Sequence, residues 1–346
     1  MDMKFSLIFF SGDERNKYNL VLDTANYADE NGFHAIWTPE RHFHRFGGLY
    51  PNPSVVSAAL STVTKRIGIR AGSIICPIHH PIRIAEEWSV VDNLSNGRAG
   101  IALATGFSPI DFAFNNDVWE DRRDITFNTV ETLRSLWEGE PITVVDGVGQ
   151  HQEVELHPCP VQSDLPIWLT CTKSVQTFEM AGQLGTNIIT GLIDMSTEEL
   201  EEKLQVYFDN LEAYGHDRET KEVTLMLHTF MGESEEEVKE KVYEPFINYL
   251  RKFFKVVNTQ QKALNPNQAI DDMEDKEQDA LLQFGFEKFF TKGSLLGGVD
   301  KCSAVVDRMM GIGVTEIACL IDFGVEDEEV MGSLKYVNEL RKRFTK

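Results

Sequence analysis

Basic residues are scarce in this chain: 33 Lys and Arg stand against 55 Asp and Glu over 346 residues, a formal net charge of −22 at pH 7. A surface of that sign repels phosphate backbones and anionic bilayers, so neither nucleic acid nor membrane is an expected partner. Long apolar runs are missing as well. None reaches the roughly 18 residues of a spanning helix, and the N-terminus enters a strand pattern at once, without a charged and then apolar leader. A cytoplasmic location is the expectation. The five cysteines, Cys76, Cys159, Cys171, Cys302 and Cys319, are odd in number, widely spaced and free of any C-x-x-C. That argues against a disulfide framework or structural zinc and for a reducing compartment. G-x-G-x-x-G, G-x-x-x-x-G-K-[ST] and G-x-S-x-G are all absent, which removes the fingerprints of a Rossmann, nucleoside-triphosphate or α/β-hydrolase site.

What remains is a chain of ordinary enzyme composition, 42% hydrophobic and 25% charged, long enough for one α/β barrel with insertions. Apolar runs of strand length begin at Lys4, His34, Arg66, Ala99, Pro166, Asn187, Glu222 and Glu316, and helical spacing fills the intervals between most of them. Eight strands alternating with helices predict a (β/α)8 TIM barrel forming a single domain over 1–346. Ser54 and Ser196 are expected helix caps, and helices are expected over 119–138 and from Ser234 to about Phe254. Two insertions interrupt the rhythm. In 141–158, alternating segments Ile142 to Val145 and Glu153 to Leu156 flank Asp146-Gly147-Val148-Gly149 and read as a hairpin. In 255–297, a polar stretch leads into the aromatic segment Leu281 to Phe290, and this length of insertion suits a lid, with a solvated surface insertion as the alternative.

The chemistry concentrates where the second strand ends. Pro39 stops the run His34 to Trp37, and Glu40, Arg41, His42, Phe43, His44, Arg45 and Phe46 follow before Gly47-Gly48. Strand carboxyl ends are where such barrels present catalytic side chains. A structural hydrogen-bond cluster is the bland alternative. Metal lacks support, because no third ligand with suitable spacing is evident and the rings of His79-His80 must diverge. Later, Thr172-Lys173-Ser174 with Thr177 combines hydroxyls, an ammonium and helix-terminal amides into an oxyanion cradle, unless these residues merely cap the helix. A late phosphate site in a barrel suits a phosphorylated cofactor such as FMN. Thr190, at another strand exit, is counted with the cofactor set.

The chain resembles the bacterial luciferase-like flavin monooxygenases over nearly its whole length. The resemblance lies in F-S-L-I-F-F, G-F-H-A-I-W-T-P-E-R-H-F-H-x-F-G-G, N-P-S-V, H-P-I-R-x-A-E-E, N-G-R and A-T-G-F. The closing E-I-A-C-L-I-D-F-G-V, Glu316 to Val325, looks most like the branch that accompanies polyketide and non-ribosomal peptide synthases. The resemblance implies reduced FMN from a separate flavin reductase, reaction with O2 through a C4a-hydroperoxide, and a natural-product substrate, either a small molecule or one tethered to a carrier protein. It places Gly72 and Ser73 about a non-proline cis peptide beneath the isoalloxazine, Ala104 and Thr105 near the reactive edge, and Ser174 and Thr177 on the phosphate.

Three positions depart from luciferases proper. Arg41 takes the place of the catalytic histidine and His42 that of its neighbour, Ala104 replaces a cysteine, and Thr105 replaces a phosphate-binding arginine. Light emission is therefore not implied, and Lys173 and Arg41 are candidates to make up the missing charge. His42 is assigned as general acid/base, Glu40 as its orienter or a flavin contact, and Arg41 as stabiliser of peroxide or of a substrate anion. A homodimer packing helices 54–65 and 81–95 is expected by resemblance. A deazaflavin-dependent hydride-transfer oxidoreductase and a non-catalytic flavin-binding protein are the alternatives.

Overall fold

The computed structural model describes residues 2–11, 18–193, 195–264 and 275–345. In chain order the strands are β1 (Lys4–Ile8), β2 (Ala35–Thr38), β3 (Gly68–Ile75), β4 (Ala99–Ala104), β5 (Ile142–Val145), β6 (His151–Val154), β7 (Ile167–Thr170), β8 (Asn187–Gly191), β9 (Val223–Met231), β10 (Leu295–Gly297) and β11 (Glu316–Leu320). All but β5, β6 and β10 form a closed parallel barrel. β11 lies between β9 and β1, with Lys4 level with Glu316, and β8 pairs with β9. Each barrel strand begins within two residues of its expected start. The reason is compositional: strands buried on both faces, such as the fully buried Ala35–Thr38, are written as unbroken apolar blocks.

Helices α1 (Asn19–Asn31), α2 (Pro53–Val63), α3 (Pro81–Ser95), α4 (Arg122–Trp137), α5 (Val175–Gln183), α6 (Thr197–Ala213), α7 (Glu235–Leu264), α8 (Asp275–Lys292), α9 (Val299–Gly311) and α10 (Asp327–Phe344) accompany the strands. Ser196 and Glu199 close a reciprocal capping box on α6 as expected. The cap of α2 is Asn52 rather than Ser54. Its side chain accepts the Val55 amide at 3.2 Å, and Pro53 occupies the first helical position, where its missing N–H is no loss. α4 starts three residues later than expected because 109–114 and 116–118 are short 3₁₀ turns.

The first insertion is an antiparallel hairpin whose second strand starts two residues early, pairing Val145 with His151 around an Asp146 turn. The second is helical. α7 runs on to Leu264, α8 packs Phe286 and Phe289 against Phe246 at 5.8 and 5.6 Å, and β10 adds to β9 from Thr229 to Met231. The polar stretch 265–274 lies outside the described residues.

The N-terminal end of the barrel is plugged by a buried ionic network. Arg70 lies between Trp37 and Trp168 and pairs with Glu316 at 2.9 Å and Glu222 at 3.3 Å. Glu316, fully buried, also accepts from Thr224 at 2.9 Å and Ser6 at 2.5 Å. His34, Glu222 and Glu316 lie close enough to hold a cation there, but Arg70 and Lys4 already supply the positive charge. No helix of the described residues is long and apolar enough to cross a membrane.

Candidate active site

The opposite end carries the strand-exit chemistry. Directly after β2 the Glu40 amide donates to the Ser73 carbonyl at 3.1 Å, which ties this exit to that of β3. The Gly72–Ser73 peptide is cis. A Cβ at Gly72 would meet Trp37 at 3.1 and 3.2 Å, close enough that the indole would have to give by a few tenths of an ångström.

The Glu40 side chain is 1% exposed and fully committed. One oxygen accepts His42 Nε2 at 2.9 Å and His79 Nε2 at 2.7 Å, and the other accepts the Ile75 amide at 2.6 Å. Burial alone raises the Glu40 pKa, but the hydrogen bonds from His42 and His79, the charge of His79 and the Ile75 amide outweigh it, and the net shift is downward. Burial likewise lowers His79, yet the Glu40 hydrogen bond and charge, with Glu87, raise it overall. An ionised carboxylate thus holds two imidazoles at one oxygen.

His79 joins this group from the turn after β3. The adjacent His80 diverges from it and caps α3, accepting the Ile82 amide at 3.3 Å. His42 stands edge-on to Phe114 at 4.8 Å, and Phe43, at φ 62°, turns outward to stack on Phe114 at 5.3 Å.

Arg41 lies 3.8 Å over the Phe10 ring and 6.0 Å from that of Phe107. Gly47 makes room for it, since a Cβ there would fall 2.8 Å from Arg41 Cγ and 2.9 Å from the Phe10 carbonyl. Its Nε is buried without a hydrogen-bond partner. Burial lowers its pKa against the opposing influence of Tyr249, Asp111 and Asp322. These neighbours include none of the α5 cradle residues. His44, half-buried, is lowered by burial and by Arg41 and His42, and it stands at the edge of the group.

Asp111 was not legible as a site residue. It sits in the 3₁₀ turn Pro109–Phe114 that follows β4, is buried, and leaves Oδ1 without a partner. Burial, helped by Glu40, pushes its carboxyl up to about 6 despite His42 and Arg41. Its one sequence signal is an acid between Ile110 and Phe112 in a strand-exit loop.

At the exit of β7, Ser174 is the N-cap of α5 and its hydroxyl makes no capping bond. Thr177 is buried one turn on, Thr172 and Lys173 are exposed, and Arg123, also missed in the sequence, holds Gln176 at 2.8 Å. Ser73 and Thr170 share a short hydroxyl–hydroxyl hydrogen bond between the exits of β3 and β7. Ala104 ends β4 and is half-buried with Thr105, and the Thr190 hydroxyl at the end of β8 is buried and unpartnered. The unpaired Thr190 hydroxyl, the Ser174 hydroxyl free of a capping bond and the first amides of α5 have the chemistry to fit a phosphate-bearing ring cofactor. A cavity of about 180 Å³ lined by Phe208, Arg218, Val223 and Thr315 lies at the other end of the barrel, away from this chemistry.

The luciferase-like monooxygenase family model matches residues 3–316. Among curated relatives, the oxygenase component of the flavin-dependent trigonelline monooxygenase of Acinetobacter baylyi is 27% identical over 342 residues, covering 96% of this chain and 91% of that protein. Among solved structures, the oxygenating constituent of 3,6-diketocamphane monooxygenase from Pseudomonas putida is a type II Baeyer–Villiger monooxygenase in complex with FMN. It superposes with a TM-score of 0.76 at 16% identity, covering 100% of this chain and 99% of that one. An F420-dependent secondary alcohol dehydrogenase superposes at 0.70 and 16% identity, covering 98% of each chain. At these identities the structural likeness is one of fold.

Proposed function

The chain belongs to the luciferase-like monooxygenase family of flavin-dependent oxidoreductases, and we propose that it is an oxygenase component that takes reduced FMN from a separate reductase. Its substrate in this reading is a natural-product intermediate, free or carrier-bound, which the closing segment Glu316 to Val325 supports. The observation that carries the reading is the Glu40 carboxylate shared by His42 and His79 beside the Gly72–Ser73 peptide. When bound, reduced FMN supplies the electrons that activate O2, by the route the resemblance implies. Ser174, Thr177 and the first amides of α5 hold its phosphate, with Arg123 and Lys173 near the charge, and Gly72, Ser73, Ala104, Thr105, Thr172 and Thr190 line the ring and its tail.

The side chains move the proton. His42 donates from Nε2 to Glu40, which leaves Nδ1 to take or return a proton at the reacting oxygen. Glu40, ionised and immobile, fixes the tautomer, and His79 stabilises the carboxylate from its second side. Arg41 contributes positive charge to the same space. α7 and α8 act as the cover that keeps water out, a role supported by the contact of Tyr249 with Phe46 at 5.4 Å. Exposed Val55 and Val63 on α2, and Val90 and Leu94 on α3, support a homodimer through that face.

The test is stopped-flow absorbance of the protein with anaerobically reduced FMN mixed into oxygenated buffer, beside FMN titrations of S174A and T177V. A transient distinct from free reduced and oxidised flavin, with FMN binding weakened roughly tenfold or more in each variant, is expected. The fold shared with F420-dependent enzymes supports a second reading, hydride transfer with a deazaflavin. Tight F420 binding with no oxygen-dependent transient would replace the first reading with that one. FMN binding without turnover of any kind would leave a flavin-binding protein.

A further inference from the structure

A buried guanidinium needs a counter-charge or a full set of acceptors. Arg70 has both, through Glu316 and Glu222. Arg98 has Ser95, Thr64 and Ile67 carbonyl or hydroxyl oxygens at 2.5–3.0 Å. Arg41, partly buried, has neither among the described residues: its cationic head packs on Phe10, and Nε is buried without a partner. The nearest acids act on it only through space. Asp322 is engaged by the Phe10 and Ser11 amides, and Asp111 leaves Oδ1 unpaired.

A second orphan donor lies within electrostatic reach of it. The Tyr249 hydroxyl is buried without a partner, and burial keeps it neutral. Phe10 and Phe46, 5.9 Å apart, and Phe46 and Tyr249 form a continuous aromatic wall between the two. Outside it, Phe43, Phe107, Ile110 and Phe114 are more than half exposed and make an apolar rim.

Two unsatisfied donors on an aromatic wall call for an acceptor-only group with an apolar body. We propose that Arg41 and the Tyr249 hydroxyl form the recognition site for a carboxylate on an apolar or aromatic substrate. The planar guanidinium matches a carboxylate bidentately, the aromatic wall takes the body, and the rim is the way in. Asp111 is the one acid there with an unpaired oxygen, and because burial pushes its carboxyl up to about 6, an incoming carboxylate can favour its protonation more readily than that of an ordinary aspartate.

The inference rests on the oxygenase reading for what becomes of the ligand, and its test is independent of that reading. Isothermal titration of the full chain compares benzoate with its neutral isostere benzamide, with and without saturating FMN, in wild type, R41Q, R41K and Y249F. Benzoate is expected to bind wild type at least tenfold tighter than benzamide, with FMN present or absent. R41Q should bring the two within twofold while leaving benzamide unchanged, R41K should keep part of the preference, and Y249F should lose severalfold on benzoate alone. If R41Q loses benzamide too, the pocket has been disturbed and R41K decides. Equal binding of both probes, no benzoate binding, a preference that survives in R41Q, or its loss when FMN is added would each overturn the proposal. Failure of the flavin reading shows separately, as absence of FMN binding with the benzoate preference intact.

Discussion

Replacing Glu40 by Gln keeps shape and removes charge at the one residue that holds both histidines. Hydrogen bonds to a charged group contribute about 1.5–3 kcal/mol each. The side-chain amide of E40Q can still accept the Ile75 amide, but its NH₂ then faces His42 and His79, so the loss to expect is about 3 kcal/mol rather than the sum of three bonds. Unfolding entropy of about 2.1 cal/mol/K per residue gives roughly 0.7 kcal/mol/K for 346 residues. Tm should therefore fall by about 4 °C.

The pH dependence makes the test specific. Glu40 is lowered in the fold, so its contribution is present above its ordinary value of 4.5 and lost as pH falls through the lower folded value. His79 is raised, so its contribution is complete below its ordinary value of 6.5 and lost as pH rises through the higher folded value. The gap between wild type and E40Q is then widest between about pH 4.5 and 6.5 and narrows toward pH 8. Calorimetric melts at pH 5.5, 6.5 and 8 measure the gap, and ¹H–¹⁵N spectra of the imidazoles follow His79, whose pKa in E40Q should drop below 6.5 because burial then dominates. A gap equal at pH 5.5 and 8, or a His79 that titrates unchanged in E40Q, would refute the shared-carboxylate argument.

Asp111→Asn removes a carboxylate whose folded value of about 6 lies above its ordinary 3.8, so wild-type stability declines as pH rises through that interval. The variant should be the more stable above pH 6 by roughly 1–2 kcal/mol after allowance for solvent screening, and equal below about pH 4, as read from urea titrations. Arg70→Met strips the buried Glu316 of its partner and should lose about 3–5 kcal/mol of stability, seen as a Tm lower by roughly 4–7 °C at pH 7. In sedimentation velocity, V55E combined with L94E should shift a wild-type dimer to monomer; a wild-type monomer would dispose of the α2–α3 interface.

The barrel could be read from the chain because its information is local: strands buried on both faces are apolar blocks, and the helices between them repeat at their own period. The exit after β2 was legible for a similar reason, with Glu40, Arg41 and His42 falling together behind Pro39. What escaped depends on contacts across the fold. His79 meets Glu40 from 39 residues away, and nothing in the dipeptide His79-His80 tells which ring caps α3 and which turns inward. Arg123 reaches α5 from the start of α4. The second insertion was read for its polar run, whereas its aromatic residues, at helical spacing, place α8 on α7.

Periodicity also cannot tell a satisfied polar residue from an unsatisfied one, and that difference is what separates the two ends of this barrel. At the N-terminal end, Arg70, Glu316, Ser6 and Thr224 close on one another, and although Trp168 Nε1 and Glu222 Oε2 make no hydrogen bond, Glu222 keeps its ion pair with Arg70 at 3.3 Å, so the charges there are matched within the protein. At the C-terminal end, Arg41 Nε, Ser108 Oγ, Asp111 Oδ1, Thr190 Oγ1 and the Tyr249 hydroxyl are buried without partners. Each such atom costs about 1–3 kcal/mol if left dry and unpaired, which a fold with a margin of only about 5–15 kcal/mol does not tolerate without return. In the reading proposed above, bound ligand and water complete them. Under the proposals above, the donors at Arg41 and Tyr249 take an anion and the Thr190 hydroxyl at β8 faces the cofactor. If both proposals hold, cofactor and substrate lie side by side on one barrel mouth, as a cofactor-dependent oxygenation requires.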